Sequence, residues 1–174
     1  YPFDHPQLGK VEIGGWNKIF AIHNPPSHLL ERELAKFPKW LVWQALLSPK
    51  MELVHAGADE LGDGTYRVRM VVQNTGWLPS YVSKEALKRL VVRPVRAEID
   101  LPEGCKLVSG KAREELGQLE GRAYKHSGLS FWPDPEPTGD RAIAEWVVRG
   151  KRGAEISVIA RHERAGTVHA KVIL

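Results

Sequence analysis

The first side chain able to do chemistry is Glu12, which stands in the apolar, β-prone segment Val11-Glu12-Ile13 directly before Gly14 and Gly15. This pattern predicts a short strand that runs into a flexible turn. A carboxylate placed there is either exposed and hydrogen-bonded to the turn, or buried. A buried carboxylate holds its proton more tightly and suits proton transfer. Glu12 is therefore the candidate catalytic residue, for proton transfer.

A second candidate is the pair His28 and Glu31, whose His-x-x-Glu spacing places both side chains on one face of a helix. Zinc sites use such spacing, but a catalytic zinc needs a third protein ligand and an open position. The simpler interpretation is an exposed first-turn histidine and a glutamate that helps to cap the helix. We therefore predict no metal ligands in this chain.

Tryptophan is abundant, with six residues in 174. Trp77 and Trp132 stand beside Gly or Pro in predicted turns, as does Trp16. Loop tryptophans bind sugars or peptides by stacking, and they also close the ends of β-sandwiches. Trp77 and Trp132 are the candidate binding residues. The remaining three, which lie in apolar segments, are predicted core residues: Trp40, Trp43 and Trp146.

Other reactive side chains carry weaker signals. Ser157, His162 and Asp140 could form a nucleophile triad only by tertiary contact, and no Gly-x-Ser-x-Gly segment is present. Cys105 follows a predicted turn and has no cationic helix end beside it, which favours an inert thiol. The densest basic region, residues 84–96, is diluted by acidic residues and is interpreted as a solvated face, with anionic polymer binding as the alternative.

Composition narrows the class of protein. The chain has a formal net charge of +4, and acidic and basic residues are interleaved, which argues against a nucleic-acid partner. A single cysteine excludes an internal disulfide. No apolar stretch approaches the roughly 18 residues of a membrane span, and no signal segment begins the chain. Localisation stays open between a secreted or periplasmic and a cytoplasmic protein.

Periodicity divides the chain into two parts. Apolar residues recur at helical spacing after Ser27, and Pro38 splits this run into helices over 27–37 and 38–47. The second helix is apolar on nearly all sides, so we expect it to be buried. The pattern alternates from Met51 onward. We therefore predict a strand–helix unit over 1–48 and a separate β domain over 49–174.

The β domain contains eight predicted strands separated by Gly, Pro and Asp, and residues 83–90 form a short helix or a charged loop. The strands span Glu52–Ala56, Tyr66–Gln73, Val91–Leu101, Lys106–Ser109, Leu116–Ala123, Arg141–Arg149, Ala154–His162 and Thr167–Leu174. Two glycine turns predict that the last three form an antiparallel meander. The fold class is mainly β, an immunoglobulin- or fibronectin III-like antiparallel β-sandwich preceded by a short strand and one or two α-helices.

Two groups of motifs resemble a known family. The segment Asp-His-Pro-Gln-Leu-Gly-Lys-Val-Glu-Ile-Gly-Gly-Trp at 4–16, with the helix that follows Asn24-Pro25-Pro26, is similar to the end of the catalytic domain in bacterial zinc carboxypeptidases of the carboxypeptidase A superfamily. The segments 66–69, 72–79 and 116–121 resemble the β-sandwich appended to such enzymes.

This resemblance implies a parent protein in which a His-x-x-Glu pair and a later histidine hold zinc and a glutamate on a late strand is the general base. Only Glu12 matches these residues. The resemblance therefore implies that the chain is a C-terminal accessory fragment without activity of its own, with zinc in the parent. Its expected partners are the parent peptidase domain and that domain's peptide or protein substrate. The alternative hypothesis is an independent module that binds a glycan or a protein through Trp77 and Trp132.

Overall fold

The computed structural model describes residues 1–16, 18–124 and 139–174. The chain divides into two compact units, Tyr1–Ala45 and Leu46–Leu174. None of the helices in these three ranges has the length and apolar character that a bilayer crossing requires.

The first unit is a hairpin followed by helical segments. Strands β1 (Pro2–His5) and β2 (Gly9–Glu12) pair in antiparallel fashion, and His5 closes their turn by accepting the N–H groups of Gln7 and Leu8. A π-helical segment, Lys18–His23, precedes two α-helices. These are α1 (Ser27–Leu34) and α2 (Phe37–Leu46), of which α2 reaches one residue into the second unit.

The predicted division of the helical run at Pro38 is confirmed. Pro38 lies in the first turn of α2, where its missing N–H interrupts no helical hydrogen bond. The preceding helix ends at Leu34, three residues earlier than predicted, and residues 35–36 form the turn between the two helices.

The burial expected for the second helix is not found. No described side chain of Tyr1–Ala45 is buried, and Trp43 at the middle of α2 is 56% exposed. The prediction that Trp40 and Trp43 are core residues is therefore wrong. A two-stranded hairpin and two short helices are too small to enclose their own apolar side chains. The helix thus presents apolar surface on several sides, formed by Trp40, Leu41, Val42, Trp43 and Leu46.

The second unit contains two four-stranded antiparallel sheets. Its strands are β3 (Met51–Gly62), β4 (Thr65–Asn74), β5 (Val95–Asp100), β6 (Lys106–Ser109), β7 (Arg113–Gly117), β8 (Arg141–Arg149), β9 (Glu155–His162) and β10 (Gly166–Ile173). One sheet has the order β3-β4-β8-β6 and the other the order β10-β9-β5-β7. A short helix, α3 (Lys84–Lys88), precedes β5, and a 3₁₀ turn spans Arg122–Tyr124.

Alternating residues of both sheets meet in one core. Along β4 every second residue is buried, as predicted: Tyr66, Val68, Met70 and Val72. Trp146 of β8 is fully buried, and its indole N–H donates to the Lys111 carbonyl at 2.8 Å. Residues of β5 and β9 supply the opposite half of the core. The fold class is therefore confirmed as a mainly β, immunoglobulin-like sandwich.

The predicted meander of the last three strands is only half right. β9 and β10 pair as a hairpin, with His162 opposite Gly166. β8, however, pairs with β4 and β6 in the other sheet. The connection at 150–154 therefore crosses between the sheets. β8 and β9 both carry apolar residues at every second position. When the two strands face each other across the core, these residues are buried to the same extent as if the strands were neighbours in one sheet.

Candidate functional site

The candidate general base, Glu12, is the last residue of β2 and lies opposite Pro2 of β1. Its side chain is exposed. The structure therefore shows the exposed alternative of the two that the sequence left open. Glu12 is sterically accessible to a second molecule or domain.

The zinc pair is not assembled with a third ligand. His28 and Glu31 lie in α1 and both are exposed. Among the described residues no group of three His, Cys, Asp or Glu side chains is arranged to hold a metal ion. Within the part of the chain that the structure describes, His28 and Glu31 therefore stand without a third ligand.

The Ser157 and His162 side chains cannot act together as a nucleophile and its base. The two residues are five positions apart on β9, so the strand points them to opposite faces of the sheet. His162 is buried and Ser157 lies on the outer face. Cys105, directly before β6, is partly buried and forms no disulfide.

Of the two candidate binding tryptophans, Trp132 lies outside the described residues, and Trp77 is 52% exposed. Trp77 belongs to the segment 75–82, here called the Trp77 loop, which connects β4 to α3. The Trp77 backbone is held in place because its carbonyl accepts the Ala123 N–H at 3.0 Å. The ring is therefore presented to solvent by a fixed backbone.

Asn74 is the anchor of the Trp77 loop. Its side chain is 1% exposed and makes four hydrogen bonds to backbone groups. The Oδ1 atom accepts the N–H groups of Lys50 and Gly76, each at 3.0 Å. The Nδ2 atom donates to the carbonyls of Leu78 at 2.9 Å and Glu120 at 3.1 Å. One buried amide thus ties three separate chain segments together, and all four of its hydrogen-bonding capacities are used.

A second set of contacts ties the far end of the Trp77 loop to the segment after β7. Ser80 is fully buried, and its Oγ atom accepts the Leu119 N–H at 2.9 Å. The Ser80 N–H donates to the Leu119 carbonyl at 2.8 Å. The Tyr81 hydroxyl donates to the Glu120 carboxylate at 2.9 Å. Because both ends are fixed, little conformational entropy remains to be lost if Trp77 binds a ligand.

A basic pocket lies at the same end of the sandwich, where β9 ends and β5 begins. Its cavity of about 150 Å³ is lined by Arg93, Pro94, Arg96, Arg161, His162 and Glu163. We call it the arginine pocket. Sequence reasoning identified the basic run through Arg96 but not Arg161, because only the pairing of β5 with β9 brings the two together.

His162 forms a rigid, uncharged wall of the arginine pocket. Its Nδ1 atom accepts the N–H groups of Arg164 at 3.2 Å and Ala165 at 3.1 Å. The proton therefore resides on Nε2, which donates to the Arg93 carbonyl at 3.1 Å. Burial lowers the pKa of His162 below its ordinary value, an effect that the hydrogen bond to Arg93 and the charge of Glu163 oppose.

Comparison with known proteins assigns the β-sandwich to a family. No curated protein matches the chain. Among solved structures, the GAE domain of GGA2p from Saccharomyces cerevisiae is similar at 6% identity, over 71% of this chain and 95% of that one, with a TM-score of 0.35. The sequence profile of a family described as "Domain of unknown function (DUF8731)" matches residues 50–173. The match covers most of the chain and nearly all of its β-sandwich, and the protein therefore belongs to the DUF8731 family.

Proposed function

We propose that this chain is an accessory part of a zinc carboxypeptidase-like hydrolase, in which the β-sandwich supports or positions the peptidase domain. The observation that carries this proposal is the uncovered apolar surface of Tyr1–Ala45. Large apolar side chains of this unit, among them Trp16 and Trp43, are more than half exposed, and exposed apolar surface of this kind is typical of interaction sites. A peptidase domain packed against this unit would bury it.

The resemblance at residues 4–16 supports the identity of that domain. Glu12 ends a strand, is followed by two glycines, and precedes the helices by a short interval. Its exposed side chain is available to enter an active site completed by other residues. In this proposal Glu12 contributes the carboxylate that accepts a proton, and the zinc ligands lie outside this chain.

The first experiment is to sequence the gene upstream of the Tyr1 codon. An open reading frame that encodes a His-x-x-Glu pair and a later histidine would support the proposal. An unrelated domain or a stop codon directly upstream would overturn it.

The second experiment uses the longer protein and measures release of the C-terminal amino acid from a peptide. Glu12→Gln should lower kcat by about 10²- to 10⁴-fold, which is the usual contribution of a general base, while the bound zinc stays stoichiometric. Glu31→Gln is the matched control, because it removes an exposed carboxylate of the same unit and should leave kcat unchanged. Equal activity of the two variants would remove Glu12 from the active site.

A second function is favoured by the rigid presentation of Trp77. We propose as the alternative that the sandwich is a module that binds a cell-wall glycan by stacking a sugar ring on this indole. Purified full chain would be sedimented with insoluble peptidoglycan, and Trp77→Ala should reduce the bound fraction at least tenfold. Trp43→Ala, which removes an equally exposed indole from α2, is the control. Absence of binding by the unmodified chain, or equal loss in both variants, would refute this alternative.

A further inference from the structure

The arginine pocket places three guanidinium-bearing residues, Arg93, Arg96 and Arg161, around one small cavity. The only carboxylate in its lining is that of Glu163. Within residues 1–16, 18–124 and 139–174, neither Arg93 nor Arg96 forms an ion pair, whereas Arg161 Nε lies 3.7 Å from Glu98 Oε2. Glu98 is shared, because its other oxygen accepts from Arg113 at 3.0 Å. Positive charge in the pocket therefore exceeds negative charge.

Strand pairing forces two of these charges together. Arg96 of β5 is the direct register partner of Arg161 of β9. Like charges directly opposite each other on neighbouring strands destabilise a sheet. Glu115 lies opposite Arg96 on its other side, in β7, and offsets part of this repulsion without forming an ion pair within 4.0 Å. An anion bound between the two guanidinium groups would neutralise the remaining repulsion between Arg96 and Arg161.

The backbone around the pocket is fixed. The Arg93 carbonyl accepts hydrogen bonds from both His162 Nε2 and the Gln118 side chain, at 3.1 and 3.0 Å. His162 in turn holds the turn between β9 and β10 through two N–H groups. Each arginine thus extends from a strand or from this hydrogen-bonded turn, so the backbone that carries the three charges loses little freedom when an anion binds.

We propose that the arginine pocket binds an oxyanion, either a phosphate group or a carboxylate. Guanidinium groups match both in geometry, because their planar N–H donors pair with two oxygens at once. The cavity of about 150 Å³ has room for one tetrahedral or planar anionic group. This site is independent of the proposed peptidase role and of the Trp77 surface.

The test is titration of the full chain with inorganic phosphate and, separately, with acetate, at constant ionic strength set with sodium chloride. Isothermal calorimetry and the thermal midpoint of unfolding would both be measured. Arg93→Gln/Arg96→Gln should raise the Kd of the preferred anion at least tenfold. Lys151→Gln/Arg152→Gln removes the same two charges from exposed positions at the opposite end of the sandwich and should leave the Kd unchanged.

The titrations with phosphate and with acetate distinguish the two kinds of anion. Saturable binding of phosphate alone identifies a phosphate site, and saturable binding of acetate alone identifies a carboxylate site. No saturable response to either anion, or an equal change of Kd in both double variants, overturns the proposal. If the double variant does not fold, Arg96→Lys is tested instead. It keeps the positive charge but replaces the planar guanidinium group by an ammonium group. It should weaken binding by several-fold, and unchanged affinity would also overturn the proposal.

Discussion

Replacing Asn74 by alanine should destabilise the β-sandwich strongly, because this one side chain satisfies four buried backbone groups. The variant leaves the N–H groups of Lys50 and Gly76 and the carbonyls of Leu78 and Glu120 without their partner. A buried polar group that loses its partner costs about 1–3 kcal/mol. Water can enter the space left by the amide and compensate part of this cost, so we expect a net loss of about 3 kcal/mol in the free energy of unfolding.

The assay is urea denaturation of the full chain followed by far-ultraviolet circular dichroism, with thermal unfolding alongside. A loss of about 3 kcal/mol corresponds to a fall in Tm of roughly 6–12 °C for a protein of this size. Asn24→Ala is the matched control, because Asn24 is exposed in the first unit. A loss below about 1 kcal/mol for Asn74→Ala would refute the reasoning that the four hydrogen bonds act as an anchor.

Three further predictions follow from the packing and titration of single residues. The pKa of folded His162 is below its unfolded value of about 6.5, so its stabilising contribution is complete above pH 6.5 and is lost as the pH falls from there through the lower pKa of the folded state. His162→Gln should therefore show a smaller loss of stability between about pH 7 and pH 5 in urea titrations, and an unchanged pH dependence would contradict this. Gly121→Ala should lower the free energy of unfolding by more than about 2 kcal/mol, because a Cβ atom there would lie within 2.6 Å of backbone atoms of Trp77 and Leu78. Gly15→Ala, whose Cβ would meet nothing within 4 Å, is the control in the same denaturation assay. Leu90→Gly should stabilise the chain by about 0.5 kcal/mol, because Leu90 is 90% exposed and takes a left-handed φ of 54° at the end of α3. A lower midpoint in urea would refute this last prediction.

Exposure of the apolar helix connects structure to the proposed function. Local sequence predicts a helix over 38–47, and the structure has one over Phe37–Leu46. The core assignment of Trp40 and Trp43 failed because apolar content along the helix does not say what packs against it, and both side chains are exposed. That a peptidase domain covers this helix stays a prediction, as does the division of roles between residues 1–48 and 49–174.

The Trp77 loop and the arginine pocket differ in how much of each could be predicted from the sequence. Trp77 stands beside glycine in a turn signal, so local pattern placed it in a loop, whereas its 52% exposure was decided by the tertiary structure. The contacts that make its loop rigid did not, since Asn74 joins residues that lie 24 and 46 positions away. The arginine pocket also joins distant residues, because Arg161 reaches Arg96 only through pairing of β5 with β9.

Sequence alone determined what depends on neighbours along the chain. The alternation in β4, the break at Pro38 and the burial of Trp146 all follow from local period, backbone chemistry and side-chain size. Only the tertiary structure decided which sheet β8 joins and which charges share a pocket. A strand that is apolar at every second position buries its side chains equally well in either sheet, so its period carries no information about its partners. Those partners were selected by the packing of the whole sandwich.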